Sequence, residues 1–220
     1  GPAAGTSSLG VQSIAKGLLS EMMVVAYPDI YVVSVVDETG NSVDQVVDGS
    51  FMAAALAGAS CNPSLDVATP WTRRQIQGFK RIGRVLDPTE ANQIAVSGVT
   101  VMEQVDTGIR VRHGLTTRMD TVITRTPSVT LIIHHVQQSM REALDPFIGQ
   151  KFTSSLLKSA EGVITGLFGN LISQQIVAQV AGISVTVDEN DMTIMRTESI
   201  YVPIFPLEYI LSSLQIRIRM

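Results

Sequence analysis

The sequence predicts an α+β fold, a mixed β-sheet flanked by helices and ending in a terminal β-strand suited to inter-subunit strand exchange. Three observations carry that expectation. Residues 9–23, 87–98 and 152–180 repeat apolar side chains at helical spacing. Residues 23–36, 99–105 and 109–113 are rich in β-branched and aromatic residues and are bounded by turn sequences. The chain closes on Leu214, Gln215, Ile216, Arg217, Ile218, Arg219 and Met220, whose strict alternation makes one face of an extended strand wholly apolar.

In chain order, a flexible Gly/Ala/Ser start leads into a helix over residues 9–23, with Val11, Ile14, Leu18, Leu19 and Met22 on its apolar side and Gly17 weakening it. Residues 1–22, the flexible start and this helix, are expected to be a fragment boundary, and residues 23–220 are expected to form the main domain. Residues 23–36 read as an interior strand, interrupted at Pro28-Asp29 and ended by the turn Asp37-Glu38-Thr39-Gly40-Asn41. Asp48-Gly49-Ser50 then opens a helix over residues 51–59. It is so rich in Ala and Gly that another backbone is expected to approach it closely. Residues 62–86 are looser and carry Trp71 with Arg73, Arg74, Lys80, Arg81 and Arg84, which read as a solvated basic loop or as a surface for an acidic protein.

The next helix has clear ends. Asp87 is placed to cap it, Pro88 suits its first position, Glu90 is placed to complete a capping box, and Gly98 terminates it. Residues 99–105 and 109–113 form a hairpin around Asp106-Thr107-Gly108, and a polar connection runs from Gly114 to Ser128. Residues 129–133 read as a strand, followed by a helix over 134–144 that Asp145-Pro146 stops. A second helix over 152–180 is expected to bend or break at Gly162, Gly166 and Gly169 and to close at Gly182. Strands over 183–187 and 193–204 flank the turn Asp188-Glu189-Asn190-Asp191.

The terminal strand must be covered, because an exposed apolar edge templates uncontrolled pairing. Burying Leu214, Ile216, Ile218 and Met220 is worth roughly 2 kcal/mol each. Two destinations fit the pattern equally: an edge of the chain's own sheet, or addition to a sheet of a neighbouring subunit.

Composition points the same way. Charged residues make up 16% of the 220, against a usual share of about 25%, and mean hydropathy is +0.26. Such a deficit of charge fits either a surface covered by partner chains or an unusually apolar monomer. A net charge of −4 and a pI of 5.3 argue against a nucleic-acid-binding domain. The apolar stretch over residues 162–187 is interrupted by Asn170, Gln174, Gln175 and Gln179, so no membrane span is expected. The lone Cys61 excludes an intrachain disulfide and reads as a small buried residue. The start at Gly1-Pro2, with neither an initiator methionine nor the features of a signal peptide, fits a processing scar on a piece of a longer polypeptide.

Catalysis needs converging polar groups, and few are on offer. His134 and His135 are adjacent and so point to different faces, unlike an i, i+4 ligand pair. Residues 162–169 lack the Lys-Ser/Thr that completes a phosphate loop and read better as a helix-packing face. Gly49-Ser50 lacks the flanks of a nucleophile elbow, and the turn at 188–191 lacks EF-hand spacing. No catalytic, cofactor or metal site is expected.

The order of these motifs resembles the C-terminal core of contractile-phage tail sheath proteins. The resemblance spans residues 24–220. It rests on the helix near 48–59, the basic linker with Ile76-Gln77-Gly78, the 87–98 helix and the strands at Gly98-Val99 and Gly108-Ile109-Arg110-Val111. It rests also on the closing Tyr201-Val202-Pro203-Ile204-Phe205-Pro206-Leu207-Glu208-Tyr209-Ile210. His113-Gly114-Leu115-Thr116-Thr117 stands where many sheath proteins have Trp-Gly-x-Arg-Thr, and the family's N-terminal arm and insertion domains have no counterpart.

The resemblance implies a structural subunit that polymerises around an inner tube and contracts to drive the tube through a cell envelope. It implies neighbouring sheath subunits, the tube protein, and baseplate and terminator proteins as partners, with no direct contact to nucleic acid or membrane. The setting is a virion tail assembled in the bacterial cytoplasm. Residues 214–220 become the strand given to a neighbour, and Lys151 and Lys158 become candidates for contact with the tube. The alternatives are an unrelated α+β ligand-binding or enzymatic domain, and a baseplate or terminator component of the same machine.

Overall fold

The computed structural model describes residues 1–62 and 66–208. Ser7 starts helix α1 (Ser8–Leu18) by accepting from the Gly10 amide, and Leu19, in the left-handed region at φ 41°, ends it before Met22. Only Val11 and Ala15 turn fully inward; Ile14, Leu19 and Met22 stay exposed. The start is tied down by Gly5, whose amide donates to the Asp29 carboxylate at 2.7 Å.

The strand expected over residues 23–36 is two strands in different sheets. Pro28 has no N–H to give a ladder, the Tyr27–Pro28 peptide is cis, and the chain turns there between β1 (Val25–Tyr27) and β2 (Ile30–Val36). β2 is interior to its sheet, as expected, whereas β1 lies at an edge. The turn after β2 is as predicted, with Asp37 Oδ1 accepting from the Thr39 and Asn41 amides at 2.9 and 2.8 Å. It leads to β3 (Ser42–Asp48), a strand the sequence reading missed.

Asp48 caps α2 (Gly49–Ser60), whose Met52 and Leu56 point into the core. Backbone comes close at the start of α2, where a Cβ on Gly49 would stand 2.9 Å from the Pro2 carbonyl oxygen, but the expected approach along the Ala-rich side is not seen at Gly58. Ala54, Ala57 and Gly58 are exposed, and a Cβ on Gly58 would meet nothing within 4 Å. Cys61, expected to be buried, is exposed. Met52 and Leu56 set the helix phase, and that phase turns position 61 outward.

After the buried Trp71 come two short strands, β4 (Gln75–Ile76) and β5 (Arg81–Ile82). Asp87 then accepts from the Thr89 amide to start α3 (Pro88–Val96), and Gly98 ends it at φ 80°. Glu90 pairs with Arg84 at 3.1 Å instead of completing a capping box. The hairpin β6 (Val99–Val105) and β7 (Gly108–His113) forms as predicted.

These strands make a four-stranded mixed sheet in the order β1-β6-β7-β4, with β1 parallel to β6 and the other pairs antiparallel. A second, antiparallel sheet runs β3-β2-β5. One core joins Tyr31, Met52, Trp71, Met102, Ile109 and Val111, between α2 and the two sheets. A second core, on the α1 and α3 side of the mixed sheet, joins Val11, Tyr27, Ile94, Val99 and Val101.

The polar connection contains a short helix, α4 (Val122–Arg125). Beyond it lies the largest departure from expectation, because residues 129–133 are helical. They belong to α5 (Pro127–Leu144), which carries Pro127 in its first turn. Val129, Ile132 and Val136 repeat at helical intervals and are buried, so the packing face overrides the β-branched composition. A 3₁₀ turn (Asp145–Phe147) follows, and then α6 (Ser154–Ser173), capped by Thr153.

α6 is continuous through Gly162, Gly166 and Gly169, and it ends well short of residue 180. Gln175, at φ 59°, turns the chain into the long strand β8 (Val177–Val187), which takes in Gly182. β9 (Met195–Pro203) returns antiparallel to it. α5, α6 and this ribbon enclose a third core around Ile132, Ile164, Phe168, Leu171 and Val177.

Candidate assembly interface

The β8–β9 ribbon is a sheet of two strands among the described residues, so the outer edge of each strand has no strand partner there. Its faces differ. Ile183, Val185 and Tyr201 lean onto the third core, whereas Ser184, Thr186, Glu198, Ile200 and Val202 face outward. Ile200 and Val202 are large exposed apolar side chains on that outer face. Register shifts near Ala178 and Ala181 bend the ribbon close to its base.

At the ribbon's tip the turn is closed by its own carboxylates. Asp188 accepts from the Asn190 amide at 2.8 Å and from the Asp191 amide at 3.3 Å, and it pairs with Arg196. The Asn190 amide, followed by Arg196, holds the Asp188 carboxyl below its usual range. Asp191 accepts from the Thr193 amide at 2.8 Å. Glu189, Asp191 and Met192 are exposed at the tip.

At the base, the Ile204 amide donates to the Ile176 carbonyl, and the chain then runs to Glu208. The Glu208 carboxylate accepts from Arg125 at 2.7 Å and from the Thr126 hydroxyl at 3.0 Å. The last described stretch is therefore pinned to the junction of α4 and α5. The predicted terminal strand, Leu214, Gln215, Ile216, Arg217, Ile218, Arg219 and Met220, lies outside the described residues.

Beside Glu208 opens a cleft of about 670 Å³ lined by Arg73, Arg110, Arg112 and His113. Arg110 and Arg112 alternate with the inward Ile109 and Val111 on β7, and Glu103 on β6 lies opposite Arg110. Glu103 accepts from Arg110 at 2.6 Å, Arg112 at 3.1 Å and Arg73 at 3.2 Å. Burial pushes the Glu103 carboxyl up, but the hydrogen bonds and charges of Arg110 and Arg112 outweigh it and hold the group below its usual range. Burial, reinforced by the neighbouring Arg112 charge, pushes the His113 imidazole down. Arg112 Nε is buried and has no hydrogen-bond partner among the described residues. The sequence reading passed over this cluster, although two arginines two apart on a predicted strand share a face.

The basic set in residues 62–86 is largely paired within the chain, Arg73 with Glu103, Lys80 with Asp44 and Arg84 with Glu90, while Arg74 donates to the Ala59 carbonyl. Lys151 precedes α6 and Lys158 lies near its start; both are exposed, and neither forms an ion pair among the described residues. A Cβ on Gly162, Gly166 or Gly169 would meet nothing within 4 Å, so the packing face expected there is open in this chain. His134 and His135 lie on α5, with His134 Nε2 3.0 Å from Met22 Sδ. Among the described residues no cluster of His, Cys, Asp and Glu is placed to hold a metal, and no helix is long and apolar enough to cross a membrane.

No protein-family model and no curated protein matches the chain. Solved structures do. The sheath complex of the extracellular contractile injection system PVC, in its contracted state, superposes with a TM-score of 0.75 at 12% identity, covering 98% of this chain and 62% of that one. The contracted helical sheath of the anti-feeding prophage gives 0.72 at 16% identity, covering 89% and 56%. A chain of the anti-feeding prophage baseplate structure gives 0.70 at 14% identity, covering 96% and 66%. The chain thus spans about three fifths of the length of the chains it matches. Its mixed sheet, flanking helices and β8–β9 ribbon have the fold of the sheath proteins of contractile injection systems.

Proposed function

We propose that this chain is the core of a contractile sheath subunit, a structural rather than catalytic protein. Copies of it stack around an inner tube in an extended state and rearrange on a baseplate signal into a shorter, wider sheath that drives the tube through a cell envelope. The observation that carries this reading is the superposition of nearly the whole chain on sheath subunits captured in the contracted state. The outer edges of β8 and β9, without a strand partner among the described residues, support it, because each offers a row of backbone donors and acceptors to an added strand.

Residues 214–220 are the strand given to a neighbour, and Lys151 and Lys158 meet the tube. The further partners are baseplate and terminator proteins, and the setting is a phage tail or related injection device assembled in the bacterial cytoplasm. The match to a chain in a baseplate structure favours, as a second reading, a baseplate component built on the same fold.

Truncation after Ser213 tests the strand's role. The shortened chain is expected to keep its circular dichroism and cooperative unfolding but to lose polymerisation of the full gene product into tubes. Tubes that still form would remove residues 214–220 from the assembly contact, and a truncated chain that unfolds would make them part of the chain's own sheet.

A further inference from the structure

The Arg-lined cleft and the acidic tip of the ribbon lie at opposite ends of the same layer. Leu207 and Glu208 place the cleft beside Arg125 and the start of α5, whereas Thr193 and Met195, next to the tip, border Arg141 and Leu144 at the end of α5. The 18 residues of α5 separate these ends by about 27 Å. The nine residues of β9 give a similar span, about 30 Å. One chain cannot bring its own tip to its own cleft.

The two ends are complementary. In the cleft three arginines share the one Glu103 carboxylate, while Glu208 is committed to Arg125, so a surplus of positive charge remains in a chain whose net charge is −4. Arg112 Nε is buried there without a hydrogen-bond partner among the described residues, and Leu207, 78% exposed, stands at the rim. The tip presents Glu189 and Asp191 with Met192, which is 81% exposed.

We infer that the tip of one copy seats in the cleft of the next. The carboxylates of Glu189 and Asp191 meet the guanidinium cluster, and Met192 covers Leu207. The contact rests on the reading that copies of this chain polymerise, and it gives that polymer a direction. A head-to-tail contact between unlike surfaces passes from copy to copy, as a ring or an open filament according to the rotation between copies, rather than closing into a two-fold dimer.

The test uses the 220-residue chain in a Cys61→Ser background. Equal amounts of a Glu189→Cys copy and a Leu207→Cys copy are mixed at about 1 mM, the effective concentration of linked neighbours, and treated with a short bis-maleimide. The expected product is a Glu189→Cys/Leu207→Cys dimer whose yield falls about tenfold when Arg73→Glu is added to the Leu207→Cys copy, and falls in high salt. A Glu38→Cys copy, carrying the probe on the β2–β3 turn, is expected to give little dimer with Leu207→Cys. An equal yield from Glu38→Cys, or no dimer from the Glu189→Cys pair, overturns the contact. Either result leaves the sheath reading to be judged by whether the full gene product forms tubes.

Discussion

Arg125 Nη2 donates to Glu208 Oε2 at 2.7 Å, joining the end of α4 to a carboxylate 83 positions later in the chain. The pair fixes where the chain leaves the β8–β9 ribbon, and Glu208 is mostly buried in it. Glu208→Ala strips Arg125 of this partner and Thr126 of its acceptor. The expected loss is about 1–2 kcal/mol in chemical denaturation, reduced from the fully buried case because Arg125 keeps some contact with water. Unchanged stability would mean that the clamp is not formed in solution.

Gly166 tests the opposite sign. It sits in the interior of α6 with open space where a Cβ would stand, so alanine removes backbone freedom from the unfolded chain without a clash. Gly166→Ala is expected to stabilise the isolated chain by about 0.5–1 kcal/mol, read from the denaturation midpoint. A loss of stability would place another backbone against this face.

At Gly98 the same substitution is expected to fail. The residue lies at φ 80°, and an added Cβ would come 2.8 Å from the Thr116 carbonyl oxygen, which is backbone and cannot swing aside. Gly98→Ala is expected to cost about 1–3 kcal/mol, with a matching fall in Tm.

The Glu103 cluster sets a dependence on acid. Its carboxyl is held below the ordinary glutamate value of 4.5, chiefly by Arg110 and then by Arg112 working against burial. A depressed carboxyl stabilises the fold above its unfolded pKa, and that contribution disappears as pH falls through the folded pKa. Stability is therefore expected to decline on acidification below about pH 4.5. Glu103→Gln is expected to flatten that decline and to cost about 2 kcal/mol at neutral pH. An unchanged acid profile in the variant would contradict the assignment.

Where local chemistry decides the structure, the sequence was legible. Asp87, Pro88 and Gly98 bound α3 as their stereochemistry requires, and Asp106-Thr107-Gly108 turns the β6–β7 hairpin. Where packing decides, it was not. Val129 and Ile132 favour strand by composition, but they lie on the buried stripe of α5, and no local signal outweighs that burial. β3 was missed because five of its seven residues, from Ser42 to Val46, are exposed and form no apolar pattern. The end of α6 was placed too late because apolar residues resume directly after Gln174-Gln175, and no Gly or Pro marks the end of the helix at Ser173.

The interface was half legible. A strand over residues 193–204 was expected, while the ribbon edges left unpaired among the described residues become visible only once the other described strands have found their sheets. The gathering of Arg73, Arg110 and Arg112 on Glu103 depends on a contact across 30 positions as well as on the hairpin register, and the pairing of Arg125 with Glu208 spans 83.

The most direct test of the central claim is negative-stain electron microscopy of the full gene product expressed alone, beside this 220-residue chain. Hollow, helically striated tubes from the full product are the result expected of a sheath subunit. Compact particles from both, at every concentration and salt tried, would contradict it.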